Sequence, residues 1–273
     1  IRGNGIYKTT DGGATWVALS ATVPTPGVAG TFSYVNQIVV SARYPSRLYA
    51  ATRTGLYRSN DSGATWSTLV DAGGVVRGCQ DLVIQQKRSV GYVFASCGTF
   101  LDTATNAKIY RGLDSPSSAF TSVFTVANMG RTSLAIAPSN ESIVYALAAH
   151  KNSDGMLGVY RSTANGNAGS WTTQVASTDA NKLNTLQLTN PVYAYAECVG
   201  ASNAGYYNQG WYDNVIAVDP ANPNIVWTGG IDLMRSTDGG KNWGIANYWW
   251  FDSGVDPQYA HADNHVIRFH PGY

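Results

Sequence analysis

Gly5-Ile6-Tyr7-Lys8-Thr9-Thr10-Asp11-Gly12-Gly13-Ala14-Thr15-Trp16 decides the fold of this chain, because it comes back. The same frame returns as Gly55-Leu56-Tyr57-Arg58-Ser59-Asn60-Asp61-Ser62-Gly63-Ala64-Thr65-Trp66 and as Asp232-Leu233-Met234-Arg235-Ser236-Thr237-Asp238-Gly239-Gly240-Lys241-Asn242-Trp243. Two looser copies lie between. One runs Lys108-Ile109-Tyr110-Arg111-Gly112-Leu113-Asp114 and is followed by Phe120. The other runs Gly158-Val159-Tyr160-Arg161-Ser162 and is followed by Trp171. The anchor tyrosines Tyr7, Tyr57, Tyr110 and Tyr160 set a period of about 50 residues, in the range of propellers and other repeat arrays.

Two short apolar runs precede most copies. The first runs are 37–40, 82–84, 134–136 and 215–218, and the second are 48–51, 92–95, 144–147 and 225–227. Runs this short, bounded by Gly, Pro and Asn, read as strands. Each period is then strand, turn, strand, loop, a strand carrying Tyr-Arg-Ser, turn, and a strand starting at Trp. Four antiparallel strands per unit, repeated, predict an all-β fold: a β-propeller of about five four-stranded blades plus partial ones. The first run is apolar at consecutive positions, which predicts a strand covered on both faces by neighbouring blades.

The copies place a partial blade at 1–20 and fuller blades at 36–70, 79–127, 131–178 and 213–250. The start of a further blade falls at 263–273. Between 178 and 213 the rhythm breaks, and 183–211 reads as an inserted hairpin, 183–188 against 192–197, followed by a Gly/Asn/Tyr-rich loop. Opening on a third strand and ending on a first, the chain reads as a segment of a larger ring. The remainder of a longer chain or another copy would complete it, because open sheet edges are covered in native proteins.

Composition narrows the function. With 18 Lys+Arg against 17 Asp+Glu, no basic excess exists to neutralise a phosphate backbone, so nucleic acid is not an expected partner. No apolar run approaches the length of a membrane span. Few charges and abundant Ser, Thr, Asn and Gly suit a secreted or cell-surface protein. Cys79 and Cys97 flank the two strands of one hairpin, and in one register they stand opposite each other within disulfide reach. That would suit an oxidising compartment and leaves Cys198 over.

Each residue of the repeated turn has a physical use. Asp accepts N–H groups of its own turn, Gly supplies positive φ, Thr bonds across the turn, and Trp carries apolar area out of it. With these residues the units resemble the Asp-box, or bacterial neuraminidase repeat. That repeat occurs in sialidases, xyloglucan-hydrolysing glycosidases, sortilin-type receptors and photosystem assembly factors. The resemblance implies that Asp11, Trp16, Asp61, Trp66, Asp238 and Trp243 are folding residues outside any active site. A sharper resemblance, over 209–271, is to large secreted bacterial proteins with sortilin-like or xyloglucanase-like propellers.

The sialidase set is not expected. The Arg-Ile-Pro motif is absent, and Arg58, Arg111, Arg161 and Arg235 occupy one repeat position, so they cannot converge. A glycosidase would need two carboxylates across a cleft. Asp81, Glu141, Glu197, Asp219, Asp252 and Asp256 lie outside the repeated turns, with Asp219 before Pro220 reading as a turn former. Asp213 and Asp263 are better candidates, each just before an innermost strand. Trp211, Tyr212, Trp249, Trp250 and Tyr259 would stack on sugar rings or pack as a lid. On one strand His261, Asp263 and His265 share a face, a spacing that suits a divalent metal with Asp213 as a further ligand or a hydrogen-bonded plug. Two classes of function stay open. One is a non-catalytic extracellular scaffold or recognition module. The other is a glycoside hydrolase or glycan-binding propeller. An assembly-factor role ranks behind both.

Overall fold

The computed structural model describes residues 2–72, 78–98, 104–189, 207–247, 249 and 259–270. Among these residues the chain forms eighteen strands and two short 3-10 turns, with no α-helix. It divides into two compact units, 1–122 and 123–273.

In the first unit β1 (Tyr7–Lys8) and β2 (Val17–Ala18) pair alone, and β3 (Val35–Val40), β4 (Leu48–Thr52), β5 (Gly55–Ser59) and β6 (Ser67–Asp71) form a four-stranded antiparallel meander. A second meander joins β7 (Cys79–Ile84), β8 (Tyr92–Cys97), β9 (Lys108–Leu113) and β10 (Thr121–Phe124), the last of which runs into the second unit. The second unit holds β11 (Met129–Ile136), β12 (Val144–His150), β13 (Met156–Ser162) and β14 (Trp171–Ala176), then β15 (Val215–Val218), β16 (Val226–Gly229), β17 (Leu233–Ser236) and β18 (Gly244–Asn247), again in sequence order within each sheet.

Three copies of the repeated turn are built the same way. The Ser236 hydroxyl donates to Asp238 Oδ1 at 2.8 Å and accepts the Gly240 N–H at 2.9 Å. Asp238 in turn accepts the N–H groups of Lys241 and Asn242, both at 3.0 Å. Ser59–Asp61–Gly63–Thr65 and Thr9–Asp11–Gly13–Thr15 repeat the relay. The bonds set the acidity of these groups. Thr65 hydroxyl and N–H, with Ser59, hold Asp61 at about 2. Burial alone would raise Asp238, but bonds from Asn242, Ser236 and Lys241 outweigh it and bring it to about 2. The backbone takes positive φ at two successive residues, Gly12/Gly13, Ser62/Gly63, Asn165/Gly166 and Gly239/Gly240. The second is Gly every time, while the first admits Ser or Asn. The copy at Ser162, which has no Asp, keeps the geometry: its hydroxyl accepts the Gly166 N–H at 3.0 Å and pairs with the Ser170 hydroxyl at 2.7 Å.

Each unit has its own core. Tyr49, Leu56, Leu82, Ile84 and Val93 pack between the two meanders of the first unit. Tyr145, Leu147, Val159, Leu188, Ile216, Met234 and Trp243 do so in the second. Fully burying such a side chain is worth roughly 1.5–3 kcal/mol.

Three expectations change. The strand closed on both faces is the second of each meander, since β4, β8 and β12 are buried almost throughout. The first strand is a sheet edge; β11 is nonetheless buried almost throughout, as expected, whereas β3 alternates between half-buried and exposed. The tryptophans are not buried alike. Trp243 is 3% exposed, Trp66 is half-buried against Phe32 at 5.1 Å, and Trp16 is 60% exposed. Trp16 stands on a two-stranded sheet, which has too little area to cover it. Lys182–Thr185, overlapping the run 183–188 expected to be a strand, is a 3-10 turn. The Asn181 side chain caps it by accepting the Leu183 N–H at 3.2 Å, and Leu183 and Leu186 pack on the core. The expected partner 192–197, with Glu197 and Cys198, lies outside the described residues.

Cys79 and Cys97 are register partners at the end of β7 and β8 and are joined as a disulfide with a sequence separation of 18. A loop of that size predicts that reduction lowers stability by about 3 kcal/mol. Urea unfolding with and without reductant checks it, and coincident curves would contradict it. The turn makes a second prediction. Ser62 bears a side chain at φ 62°, so Ser62→Gly should stabilise by about 0.5–1 kcal/mol. Gly63→Ala should destabilise by about 2 kcal/mol, because its Cβ would also meet Leu19 Cδ1 at 2.4 Å. Thermal melts of the two variants should shift in opposite directions.

Candidate functional site

At one end of the second unit, residues 209–214 turn tightly into β15. The Gln209 carbonyl accepts the N–H groups of Tyr212 and Asp213, both at 2.7 Å. Arg131, at the start of β11, clamps the outside of this turn by donating to the carbonyls of Trp211 at 2.8 Å and Tyr212 at 2.5 Å. Ser133 Oγ donates to the Asn214 carbonyl at 2.6 Å. The turn is thus fixed by groups of the neighbouring sheet, and Asp213 points inward with no exposed surface.

Asn264 brings the second half of the site. Its backbone N–H donates to the Gly230 carbonyl at 2.8 Å, and its amide donates to Gly230 and Ile231 at 3.1 and 3.2 Å. Gly229 leaves room for it, since a Cβ there would meet Asn264 Cβ at 2.8 Å. So anchored, the next residue, His265, places Nε2 3.6 Å from Asp213 Oδ1, with the His265 side chain 47% exposed. Tyr212 meets the His265 ring edge-on at 4.6 Å and Trp211 at 5.3 Å. Trp211 and Tyr212 are both exposed, and the four groups form a step from open aromatic surface down to a closed carboxyl.

Burial pushes the Asp213 carboxyl up to about 7, the adjacent Asp263 carboxyl adds to the rise, and Arg131 opposes it. No N–H donates to either Asp213 oxygen within hydrogen-bond distance, the His265 ring standing off at 3.6 Å, so its neutral form is the cheaper one in this closed place. Asp232, at the turn into β17, is likewise pushed by burial to about 6, against the pull of the Trp249 N–H that its Oδ1 accepts at 2.8 Å.

The candidates divide. Asp213, Asp263 and His265 come together with Tyr212 and Trp211. His261 is exposed and its Nδ1 lies 2.9 Å from the Ala262 carbonyl. Residues 263–270 carry no strand, and Asp263 has a positive φ of 67°. The alternation that would align His261, Asp263 and His265 on one face is broken there. Among the described residues no group of three or more His, Cys, Asp or Glu side chains is gathered to hold a metal ion. Trp249 is exposed and spends its N–H on Asp232, Tyr259 is half-buried, and Trp250, Asp252 and Asp256 lie outside the described residues. Asp219 caps its turn by accepting the Ala221 and Asn222 N–H groups at 2.8 and 3.0 Å. Sequence reasoning missed Arg131, Asn214 and Asn264, and absorbed Asp232 into the repeat. The one available signal was a polar residue at the mouth of an apolar run.

No protein-family model and no curated protein matches the chain. Among solved structures it is similar to the GH74 xyloglucanase from Xanthomonas campestris. The TM-score is 0.60 at 15% identity, over 88% of this chain and 34% of that one. It is also similar to a Niastella koreensis GH74 enzyme, with a TM-score of 0.49 at 16% identity over 89% and 47%, and to an ancestral GH74 enzyme, with 0.49 at 16% over 93% and 37%. The chain spans between a third and a half of the length of these proteins. The first likeness is one of fold, and with the meanders it makes this an all-β propeller of four-stranded antiparallel blades.

The raised acidity constant of Asp213 makes stability depend on pH. The folded state keeps the proton to about 7 and the unfolded chain releases it near 3.8. Between those values the folded state binds more protons, so stability falls as pH rises through this window. Asp213→Asn should remove that part of the fall, on the order of 2–4 kcal/mol. Urea midpoints of both proteins across the window check it, and parallel curves would contradict it.

Proposed function

We propose that this chain is a non-catalytic recognition module of a secreted or cell-surface propeller, and that it binds a glycan at the Trp211–Tyr212–Asp213–His265 end. The observation that carries the reading is the exposed aromatic pair beside the half-exposed His265 ring and its closed carboxyl partner Asp213. Aromatic faces accept the apolar faces of sugar rings, and the exposed His265 ring beside them offers hydroxyl groups a hydrogen-bonding partner. The disulfide and the lack, among the described residues, of any helix long and apolar enough to cross a membrane agree with an extracellular place. Further blades, from a longer chain or a second copy, complete the ring in this reading. The repeated turns, read as Asp-boxes of a sortilin-like or xyloglucanase-like chain, serve folding alone.

A second reading, glycoside hydrolysis, is favoured by one specific feature. A carboxyl held neutral up to about pH 7 is what a general acid needs, and Asp263 beside it would supply the second carboxylate.

A glycan array with a panel of hydrolase substrates separates the two. Recognition predicts binding without turnover, weakened at least about tenfold, or about 1.4 kcal/mol, in Trp211→Ala. Turnover abolished by Asp213→Asn would establish the enzyme instead. Silence on both tests would overturn the glycan and leave a scaffold.

A further inference from the structure

The second unit also gathers buried oxygens that nothing satisfies. Among the described residues every buried side-chain oxygen without a hydrogen-bond partner belongs to one of six residues: Gln187, Asp213, Asn214, Thr228, Asp232 and Asn247. Gln187 also leaves its side-chain nitrogen Nε2 without a hydrogen-bond partner. Five of the six residues cluster at one end of the β15–β18 sheet, where β15 and β17 begin and β16 and β18 end. The backbone of the sixth, Gln187, reaches the same end, because a Cβ on Gly230 would meet its main-chain carbonyl oxygen at 2.6 Å.

Register sorts them. Ile216 pairs with Thr228, so Asn214, two residues earlier, lies on the Thr228 face. Asp213 lies on the other face, with His265. On the Thr228 face two of the free oxygens are held in place. Asn214 donates its amide nitrogen to the carbonyls of Arg131 at 3.2 Å and Leu147 at 3.4 Å, which fixes its oxygen as the open end. Asp232 has Oδ1 pinned by the Trp249 N–H and Oδ2 open. Thr228 is wholly buried, Gln187 is 1% exposed, and Asn214 and Asp232 are 3% exposed.

Open acceptors at this depth cost free energy unless something occupies the space between them. The open atoms have essentially no surface reachable by a water-sized probe, so a water molecule lacks the room it needs. A bare hard cation is smaller than water, takes carboxylate, amide and hydroxyl oxygens, and holds them at about 2.4 Å. We propose that Asp232, Asn214, Thr228 and Gln187 form a structural site for one hard, oxygen-liganded cation of the calcium or sodium class. The ion would tie the 182–188 segment to the sheet below it. This site stands on the opposite face from Asp213 and does not rest on the glycan reading.

The test uses the protein in a chelated buffer with choline as the sole cation, to which calcium or sodium is then added. At a hundredfold excess over Kd the melting temperature should rise by about 5–10 °C. Elemental analysis of the native protein should find calcium at one per chain if calcium is the ion. A response to sodium alone would assign the monovalent ion. Asp232→Asn and Thr228→Val should both lose the rise. If either variant fails to fold, the wild-type titration decides. No rise with calcium or sodium, together with no bound metal, would overturn the site. A rise that persists in both variants would overturn its location.

Discussion

A hydroxyl that gives and receives at once holds this architecture in register. In each intact turn a Ser or Thr at the end of the third strand donates to Asp and accepts from a Gly N–H four residues on. That forces two successive left-handed residues and delivers the fourth strand antiparallel to the third. A tryptophan follows, and in three copies its indole N–H returns to the turn carbonyl, from Trp66 to Gly63, from Trp171 to Gly166 and from Trp243 to Gly240. Because the turn satisfies its own donors, its geometry does not depend on the neighbouring meander.

What the sequence made legible follows from that economy. A local turn leaves a local signature, so the period, the all-β class and the four-strand meander could be read from Asp, Gly and Trp spacings. Even the tolerance at the first left-handed residue is written there, as Gly12, Ser62, Asn165 and Gly239. Cover is a different matter, since it depends on which area lies opposite. Trp16, Trp66 and Trp243 occupy one repeat position and three levels of burial. Apolar runs likewise fixed where strands are, but not which strand is closed on both faces.

The site was legible only in part, for the same reason. Asp213 and His265 stood out because they are unique against a repeating background. The residues that hold them are ordinary polar groups of other elements. Arg131 acts from β11, about eighty residues before the turn it clamps, and Asn264 acts through carbonyls of 230 and 231. No spacing rule joins such positions. The break in the alternation that would align His261 with His265 falls at one backbone angle, that of Asp263, which a strand-like sequence did not announce.

The third copy shows what happens when the hydroxyl is missing. Gly112 stands where the relay has Ser or Thr, and Phe120 fills the space a side chain would need. Asp114, freed from its own turn, accepts from Arg47 and Tyr49 of the preceding sheet at 3.0 Å each, and from Ser41. The same sheet carries the covalent bond between β7 and β8 at paired residues. A slip of one residue in that hairpin would exchange its inner and outer faces, and here no self-closing turn resists it downstream. The disulfide therefore acts as a proofreading device: a misregistered hairpin cannot bring the two sulfurs together, so oxidation selects the correct pairing in the one blade that has given its aspartate to a neighbour.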